Sequence, residues 1–240
     1  MNTLSKLART VLPEKFLTFL RYIRAKHAMR KAKGLDRKDV FRGIYKKKDW
    51  GKNAGDFFSG TGSVGEHVEP YVELVSNFIV RNDIKKIVDL GCGDFRVGRK
   101  IDLHGAKYIG CDVVEDVVRY NTENFSSENI SFLCTDIVSD ELEDGDLCLI
   151  RQVLQHLSNR DISDVLKKLE KYKYVLSTDT ARYGQEKENI DICSFGGTRI
   201  ELGGGLLLDC PPFNLDLDVV LEVPIPYPPN CYLRTVLIHI

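Results

Sequence analysis

Two glycines and one aspartate carry the clearest chemical signal in the sequence. Gly91 and Gly93 directly follow the apolar run 87–90, which predicts a buried strand that enters a tight turn. Such a turn brings backbone N–H groups close to a ligand, because no side chain lies between them. Asp112 stands 19 residues after Gly93 and closes a second apolar run, 106–111, where an acid is placed to accept hydrogen bonds from ribose hydroxyls. These residues together predict a site for a nucleoside-containing cofactor.

The residue three positions after Gly93 argues against a dinucleotide. A dinucleotide site requires a third glycine there, and this chain has Arg96. The sequence also lacks the glycine-rich loop ending in Gly-Lys-Ser/Thr that binds nucleotide phosphates. The run Val88-Asp89-Leu90-Gly91-Cys92-Gly93 instead resembles the first motif of class I S-adenosylmethionine (SAM)-dependent methyltransferases.

The resemblance implies SAM as cofactor, with its ribose on Asp112 and its adenine amino group facing Asp136, at the end of the run 130–136. The residues expected to bind SAM on this side are Gly91, Cys92, Gly93, Asp112, Val113, Asp136, Ile137, Arg151 and Gln152.

The elements that must position these residues alternate along the chain. Strands are predicted at 87–90, 106–111, 130–136, 146–150, 172–177, 219–223 and 232–240, and helices at 97–103, 115–124 and 158–171. Alternating strands and helices predict right-handed crossovers and a parallel sheet with helices on both faces. Two final strands joined by a proline-rich turn complete a seven-stranded, Rossmann-like α/β fold, the methyltransferase architecture. We expect a basic N-terminal helical arm at residues 1–45 and a methyltransferase domain at 46–240.

The composition is that of an ordinary globular protein, with 43% hydrophobic and 29% charged residues. The seven cysteines contain no C-x-x-C pair, and four of them lie in or beside predicted core strands, which favours reduced thiols in a cytoplasmic protein. No apolar run approaches the ~20 residues of a membrane span, and the N-terminus lacks the apolar core of a secretory signal. The five histidines are dispersed without ligand spacing, so no metal site is predicted.

The net charge of −1 conceals a strong asymmetry. Residues 1–48 hold 15 basic and three acidic side chains, a net charge of +12, and the remaining 192 residues hold 19 basic and 32 acidic ones, a net charge of −13. Pro13 can open a helix in which Phe16, Leu20, Ile23 and His27 share one face. Three interpretations stay open for residues 1–40: an interfacial helix on anionic lipid at the inner face of the plasma membrane, a nucleic-acid arm, or a helix docked on its own domain.

His156 is the candidate catalytic residue. It follows the fourth predicted strand, at the sheet edge where open α/β folds bind ligands, and just precedes a helix whose expected N-cap is Ser158. A histidine there can act as a general base, because an alcohol must lose its proton as it attacks a methyl sulfonium. The alternative is a core histidine hydrogen-bonded to the backbone. The segment 151–158 is similar to one that follows the fourth strand in bacterial methyltransferases of polysaccharide gene clusters.

That resemblance extends over residues 41–223 and adds further candidates. The Gly/Ser loop 59–63 is expected to place backbone N–H groups of Ser59, Gly60 and Ser63 against the cofactor carboxylate. The long glycine-rich loop 184–214 is expected to cap the substrate. The candidate substrate-binding residues are Tyr45, Trp50, Asn189, Asp191, Arg199 and Phe213.

The sequence as a whole indicates a SAM-dependent O-methyltransferase that acts on a sugar hydroxyl or sugar-linked group in bacterial surface-glycan synthesis, with no DNA partner. The segment Asp209-Cys210-Pro211-Pro212-Phe213 superficially resembles the motif of amino-group methyltransferases. It follows the fifth strand rather than the fourth, however, and its spacing is broken by a cysteine. The alternatives are a methyltransferase of a small metabolite or RNA, and a catalytically inactive SAM-binding scaffold that docks through its basic arm.

Overall fold

The structure, a computed structural model, describes residues 14–51, 57–226 and 228–239, with side chains from residue 18 onward. Five α-helices occur in the described residues: α1 (Glu14–Ala32), α2 (Arg37–Lys47), α3 (Val68–Arg81), α4 (Glu115–Phe125) and α5 (Asn159–Leu166). The strands are β1 (Lys86–Leu90), β2 (Lys107–Asp112), β3 (Ile130–Cys134), β4 (Leu147–Arg151), β5 (Tyr174–Arg182), β6 (Leu217–Ile225) and β7 (Cys231–Ile238).

The seven strands form one sheet in the order β3-β2-β1-β4-β5-β7-β6. The first five are parallel, and β7 pairs antiparallel with both β5 and β6. This topology confirms the predicted seven-stranded α/β fold that ends in a hairpin. Because the strand order reverses between β1 and β4, the connections that leave their carboxyl ends run in opposite directions, and the crevice between them is where such sheets bind ligands.

Alternate side chains of the central strands pack on opposite faces of the sheet, as strand geometry requires. On one face, Val88 and Ile150 pack in a buried cluster with Ile162 of α5. On the other face, Ile87 and Leu149 pack in a cluster that includes residues of α3 and α4. Helical cover on both faces accounts for the near-continuous apolar runs of β1 and β4.

The predicted helix 97–103 is wrong. Only a short 3₁₀ turn forms there, at Gly98–Lys100. Gly98 lies against two aromatic rings, and a Cβ on it would approach Phe95 to 2.6 Å and the Tyr108 hydroxyl to 2.7 Å. His104 and Gly105 both adopt positive φ, which ends any helical continuation.

The predicted helix 158–171 is shorter than expected, and the predicted fifth strand ends too early. α5 ends at Leu166, and a 3₁₀ turn follows at Leu169–Lys171. Ser158 is the N-cap as predicted, since its hydroxyl accepts from the Asp161 amide at 3.0 Å. β5 extends five residues beyond the predicted end at 177.

Helix α1 docks on the domain through a narrow stripe. Ala25, Met29 and Ala32 pack in a cluster with side chains of the loop before residue 203. Ile23 and His27, which the sequence placed on one apolar face, are exposed instead, and the Phe16 side chain lies outside the described residues. Within the described residues, no helix combines the length and apolar character that a membrane crossing needs.

Candidate active site

A cavity of about 1090 Å³ opens at the carboxyl edge of the parallel strands. Its walls come from the turns that follow β1, β2, β3 and β4, and from residues of α2 and the loops 59–67 and 196–201. Typical small-molecule sites measure about 300–1,000 Å³, so this cavity has room for a nucleoside cofactor together with part of a second molecule.

In the turn after β1, the positive φ angles and the close packing leave room only for glycine at positions 91 and 93. Gly91 and Gly93 adopt φ values of +84° and +56°. A Cβ on Gly91 would lie 2.3 Å from Val153 Cγ2, and one on Gly93 would lie 2.3 Å from Ser59 Oγ. The Asn121 side chain of α4 donates to the Gly93 carbonyl at 2.7 Å, which fixes the turn from the helix side.

Asp112 lies at the end of β2 with both carboxylate oxygens engaged by the backbone. Oδ2 accepts from the Gly93 amide and Oδ1 from the Val114 amide, each at 3.0 Å. Each oxygen keeps a second lone pair, and Asp112 lines the cavity, so the carboxylate can still accept from two hydroxyls. Burial raises the pKa of Asp112 to about 6, against the opposing effect of the backbone N–H donors. This is the geometry expected of a ribose-binding acid.

The loop 59–63 is tied to the glycine turn by its own hydroxyls. Ser59 Oγ accepts from the Asp94 amide at 2.8 Å and lies 2.9 Å from the Tyr45 hydroxyl. Ser63 Oγ donates to the Gly60 carbonyl at 2.7 Å. Ser59, Gly60 and Ser63 all line the cavity. The backbone N–H groups of Ser59 and Ser63, which were predicted to face the cofactor carboxylate, instead donate to Asp94 Oδ2 at 3.4 Å and to the Gly60 carbonyl at 3.1 Å.

Arg151 supplies a buried positive charge at the end of β4. Its Nη2 donates to the Gly62 carbonyl at 2.9 Å and its Nη1 to Gln152 Oε1 at 3.2 Å, while its Nε is buried without a hydrogen-bond partner. Because Arg151 lines the cavity, its guanidinium offers a positive charge to an incoming carboxylate. Asp89 also lines the cavity, and burial raises its pKa to about 6. The site therefore offers both charges that an amino-acid group requires.

Asp136, the acid predicted to face adenine, is bound by a residue from the N-terminal segment. Arg37 Nη2 lies 2.9 Å from Asp136 Oδ2, and its Nε donates to Oδ1 at 3.2 Å. The same guanidinium reaches Asp161 of α5 at 3.4 Å. Val113 and Ile137 line the cavity nearby. Because α2 begins at Arg37, residues assigned to the arm at 1–45 form part of the cavity wall, and α2 crosses the predicted boundary at residue 45.

His156 lies in a 3₁₀ turn after β4 and lines the cavity. Its Nδ1 is 2.8 Å from the Gly197 carbonyl, which only accepts, so Nδ1 carries the proton and Nε2 carries a lone pair. The Gln155 amide nitrogen lies 3.4 Å from Nε2, a long contact, and Gln155 is oriented by the Thr180 amide, which donates to its Oε1 at 3.0 Å. Burial lowers the pKa of His156 to about 4, which makes the ring neutral at physiological pH.

Aromatic rings surround His156 on the side of the N-terminal segment. The ring centroids of Trp50 and Phe41 lie 5.4 and 6.3 Å from that of His156, and Tyr45 packs edge-on against Trp50 at 5.3 Å. The indole N–H of Trp50 donates to the Gly196 carbonyl at 2.8 Å, so the Trp50 ring is fixed in the wall. This part of the cavity presents apolar surface beside one proton acceptor.

Four of the six predicted substrate-binding residues do not line the cavity. Asn189 donates to three backbone carbonyls of the segment 207–211, and Asp191 accepts from the Asn159 amide. Arg199 is fully buried and donates to the carbonyls of residues 155, 157 and 190 and to the Asn159 side chain. Phe213 packs against the core under β4 and β5. The polar side chains of Asn189, Asp191 and Arg199 bond to the chain itself and so stabilise the loop. Contact with the acceptor must come from other residues. Tyr45 and Trp50 do line the cavity, with the Tyr45 hydroxyl on the side of the glycine turn.

Several cavity residues were not predicted from the sequence. Asp89 carried one available signal, an acid within the strand just before the glycine turn. Phe41 and Gln155 lie in segments that carry the family resemblance but were not named as site residues. Arg37 carried no signal, because its role depends on a contact with a residue far away in the chain. Cys92 was predicted and lines the cavity, and burial raises the pKa of its thiol well above the ordinary value, so the thiol stays protonated.

The sequence and the fold both have matches among known proteins. Residues 87–172 match the family model described as "Methyltransferase domain". Among curated protein sequences, none matches this chain.

Three solved structures share the fold at low sequence identity. The magnesium protoporphyrin IX methyltransferase ChlM from Synechocystis, with bound SAM, aligns with a TM-score of 0.53 at 14% identity, covering 87% of this chain and 99% of ChlM. The N-terminal domain of EvdMO1, crystallised in the presence of S-adenosylhomocysteine (SAH) and D-fucose, has a TM-score of 0.52 at 14% identity, covering 85% and 97%. Human N-acetylserotonin methyltransferase with SAM has a TM-score of 0.50 at 14% identity, covering 92% and 66%.

Proposed function

We propose that this chain, which is a class I SAM-dependent methyltransferase, transfers the methyl group to a hydroxyl of a sugar or sugar-linked acceptor in surface-glycan synthesis. The observation that carries the proposal is the state of His156. Its ring lines the cavity in the neutral form, with the proton on Nδ1 and the lone pair on Nε2. A hydroxyl acceptor needs such a group to take its proton, because an alcohol does not lose it unaided at neutral pH.

The cofactor residues divide the cavity into two ends. Asp112 is placed for the ribose hydroxyls and the glycine turn lets the backbone approach the cofactor, while Arg151 and Asp89 offer a cation and an acid to the methionine carboxylate and amino groups. When bound, SAM supplies a methyl group already activated on a sulfonium centre. The protein would therefore contribute alignment and removal of the proton: His156 Nε2 would accept the hydroxyl proton as the acceptor oxygen takes the methyl group, with SAH as the second product.

The low pKa of His156 has two opposite effects on its role as a general base. With a pKa of about 4, the ring is available as an acceptor throughout the neutral range, although it is a weaker base than an unperturbed histidine. The Gly197 carbonyl holds the ring in one tautomer and one orientation through Nδ1, which reduces the cost of aligning the proton acceptor.

The choice of a sugar acceptor is supported by the surface around His156. The rings of Phe41 and Trp50 lie beside His156 and form an aromatic wall, on which the apolar face of a sugar ring can pack. Glu201 is a charged residue on the neighbouring 196–201 wall, and its carboxylate already accepts from the Thr198 amide and hydroxyl at 2.8 and 3.0 Å. EvdMO1, which shares the fold, was crystallised with D-fucose present. The names of ChlM and the human enzyme record other acceptors on the same fold, so the acceptor must be tested directly.

Transfer of radiolabelled methyl from SAM to a panel of acceptors tests the proposal. The panel contains monosaccharides, lipid-linked glycan precursors, a mixture of small alcohols and amines, and RNA. Label in the sugar-containing acceptors, lost in His156→Ala, supports the proposed function. Label only in RNA or small metabolites contradicts it, and SAM binding without transfer to any acceptor indicates a scaffold.

The N-terminal helix supports a proposal about location, at the cytoplasmic face of an anionic membrane. α1 docks through one stripe, and its outward side exposes Phe19 and Ile23, which are 57% and 48% exposed, next to Lys26 and Arg30. Apolar side chains among basic ones are typical of helices that lie in a membrane interface. Each basic residue near an anionic surface contributes about 1 kcal/mol within a Debye length of about 8 Å, so binding should be reversible and salt-sensitive.

Liposome flotation separates this proposal from its alternatives. The intact protein should float with anionic vesicles at low salt and less at high salt. The double variant Phe19→Ser, Ile23→Ser should stay behind while it still binds SAM. Lys107→Glu serves as a charge control, because Lys107 is exposed at the opposite, amino-terminal edge of the sheet. If the intact protein does not float at low salt, or if it binds RNA under the same conditions, the membrane assignment is wrong.

A further inference from the structure

One loop contacts both the N-terminal helix and the catalytic end of the cavity. We call residues 192–202 the bridging loop. On its outer side, Ile192, Phe195 and Leu202 pack against the docking stripe of α1. The Cys193 thiol adds a polar contact by donating to the Met29 carbonyl of α1 at 3.2 Å. Because Ile192 and Phe195 are only 3% and 2% exposed, this packing is a buried contact and not a loose surface touch.

The inner side of the same loop holds His156 and Trp50. The Phe195 amide donates to the His156 carbonyl at 3.1 Å. The Gly196 carbonyl accepts from the Trp50 indole, and the Gly197 carbonyl accepts from His156 Nδ1, both at 2.8 Å. Residues 195–197 therefore fix the backbone of His156, the tautomer of its ring and the Trp50 side chain beside it. Phe195 belongs to both sides, since its ring packs on α1 and its amide bonds to His156.

The bridging loop has little room to shift independently of these contacts. A Cβ on Gly196 would lie 2.7 Å from Ile44 Cδ1, and one on Gly197 would lie 2.5 Å from the Phe195 ring. A displacement of the Phe195 ring would therefore move Gly197, whose carbonyl accepts from His156 Nδ1. Close-packed interiors transmit such displacements because they contain few voids to absorb them.

The cofactor end is held by different contacts. The Gly91 and Cys92 amides donate to the Cys111 carbonyl at 2.7 and 2.9 Å, and the Gly93 amide donates to Asp112. These bonds join the turns of two neighbouring strands within the sheet. None of these bonds involves a residue of the bridging loop.

We infer that α1 is a positioning element for catalysis: seated on the bridging loop, it holds His156 and Trp50 in place without contributing to cofactor affinity. The inference rests on the proposed role of His156 and adds to it a dependence on the helix that carries the basic outward face. A partner that pulls α1 off the loop would then lower turnover while SAM remains bound. A partner that presses α1 onto the loop would leave the site ordered.

Replacing two alanines of α1 by glutamate, one buried and one exposed, tests the inference. Ala25 is 5% exposed within the docking stripe, whereas Ala28 on the same helix is exposed. Ala25→Glu places a charge in the buried contact, and Ala28→Glu makes the same chemical change in solvent. Met29→Ala is a milder change at the same contact, which removes packing without adding charge. If Ala25→Glu fails to fold, the Met29→Ala variant alone tests whether α1 positions His156 and Trp50.

Three measurements apply to each variant, and none requires the acceptor. Trp50 is the single tryptophan of the chain, so its fluorescence reports the position of the cavity wall. Hydrogen exchange reports the bridging loop, and calorimetry with SAH reports the cofactor end. We expect Ala25→Glu and Met29→Ala to shift the Trp50 emission to longer wavelength and to speed exchange in residues 192–202, with SAH affinity unchanged. Ala28→Glu should match the wild type in all three.

Unchanged Trp50 emission and loop exchange in a folded Met29→Ala protein would overturn the inference. Loss of SAH affinity in Met29→Ala would overturn it too, because the effect would then not be confined to the catalytic end. Once an acceptor is identified, the same variants should lower kcat and leave the KM for SAM unchanged. If the proposed function fails, no acceptor is methylated, yet the fluorescence and exchange results still decide whether α1 positions this wall.

Discussion

Replacing Asp112 tests how the cavity holds the cofactor. Asp112→Ala removes the carboxylate that is proposed to accept from two ribose hydroxyls, and the Gly93 and Val114 amides lose their partner as well. A hydrogen bond to a charged group contributes about 1.5–3 kcal/mol. If water compensates for one of the two ribose bonds, the remaining loss of about 1.5–3 kcal/mol corresponds to roughly a 10- to 150-fold weaker affinity.

Isothermal titration calorimetry with SAM and SAH measures this loss directly. Asp116→Ala is the matched control, because Asp116 lies only four residues later, in the first turn of α4, and pairs with Arg119 on the surface. It should bind like the wild type. If folded Asp112→Ala binds SAH as tightly as the wild type, Asp112 does not hold the ribose and the assignment of the cofactor end is wrong.

The raised pKa of Asp112 adds a pH dependence with a defined sign. Its folded-state pKa of about 6 lies above the ordinary value near 3.9, so the carboxyl takes up a proton as the pH falls through about 6. Protonation removes the charge that strengthens the ribose bonds, and the affinity for SAH should fall between pH 7 and about pH 5. Asp89 titrates in the same range, so the comparison is with Asp112→Asn, in which this part of the pH dependence should be absent.

Three further substitutions probe separate parts of the site. His156→Ala should leave SAM affinity within about threefold and lower turnover by roughly 10²-fold or more, and intact turnover in the folded variant would make His156 structural. Arg199→Met leaves four oxygen atoms without their donor and should lower the free energy of unfolding by about 3–5 kcal/mol, measured in urea, and an unchanged midpoint would contradict this. Gly93→Ala should weaken SAH binding because its Cβ meets Ser59 Oγ, whereas Gly105→Ala, also at positive φ (+83°) but with open space around it, should lose stability and keep affinity.

The residues at the strand ends of the cavity could be predicted from the sequence more readily than those of the loop expected to contact the acceptor, for a physical reason. The glycine turn follows β1 and Asp112 ends β2, and neighbouring parallel strands bring their ends together, so spacing along the chain determines proximity. The acceptor end depends on side-chain direction within a long loop. Asn189 and Arg199 are polar residues in such a loop, and they bond to its backbone because buried N–H and C=O groups need partners.

Long-range contacts explain the residues that were missed. Arg37 meets Asp136 across 99 positions of the chain, and no local pattern around Arg37 indicates that contact. The end of β5 was missed for a different reason. Thr178, Asp179 and Thr180 are polar but buried, and they are satisfied by contacts such as the 2.9 Å bond between the Thr178 and Thr235 hydroxyls. An apolar pattern cannot predict a strand whose buried side chains are polar.

Under the proposed function, this site methylates a hydroxyl oxygen of a sugar. The most direct measurement supplies SAM with an isotope-labelled methyl group, together with the acceptor pool that takes up label, and records the NMR spectrum of the purified product. We predict a methyl resonance in the range of an O-methyl ether, correlated with a sugar ring proton and absent when His156→Ala replaces the wild-type protein. A resonance of an N-methyl group, or a methyl correlated with no sugar proton, would contradict the account.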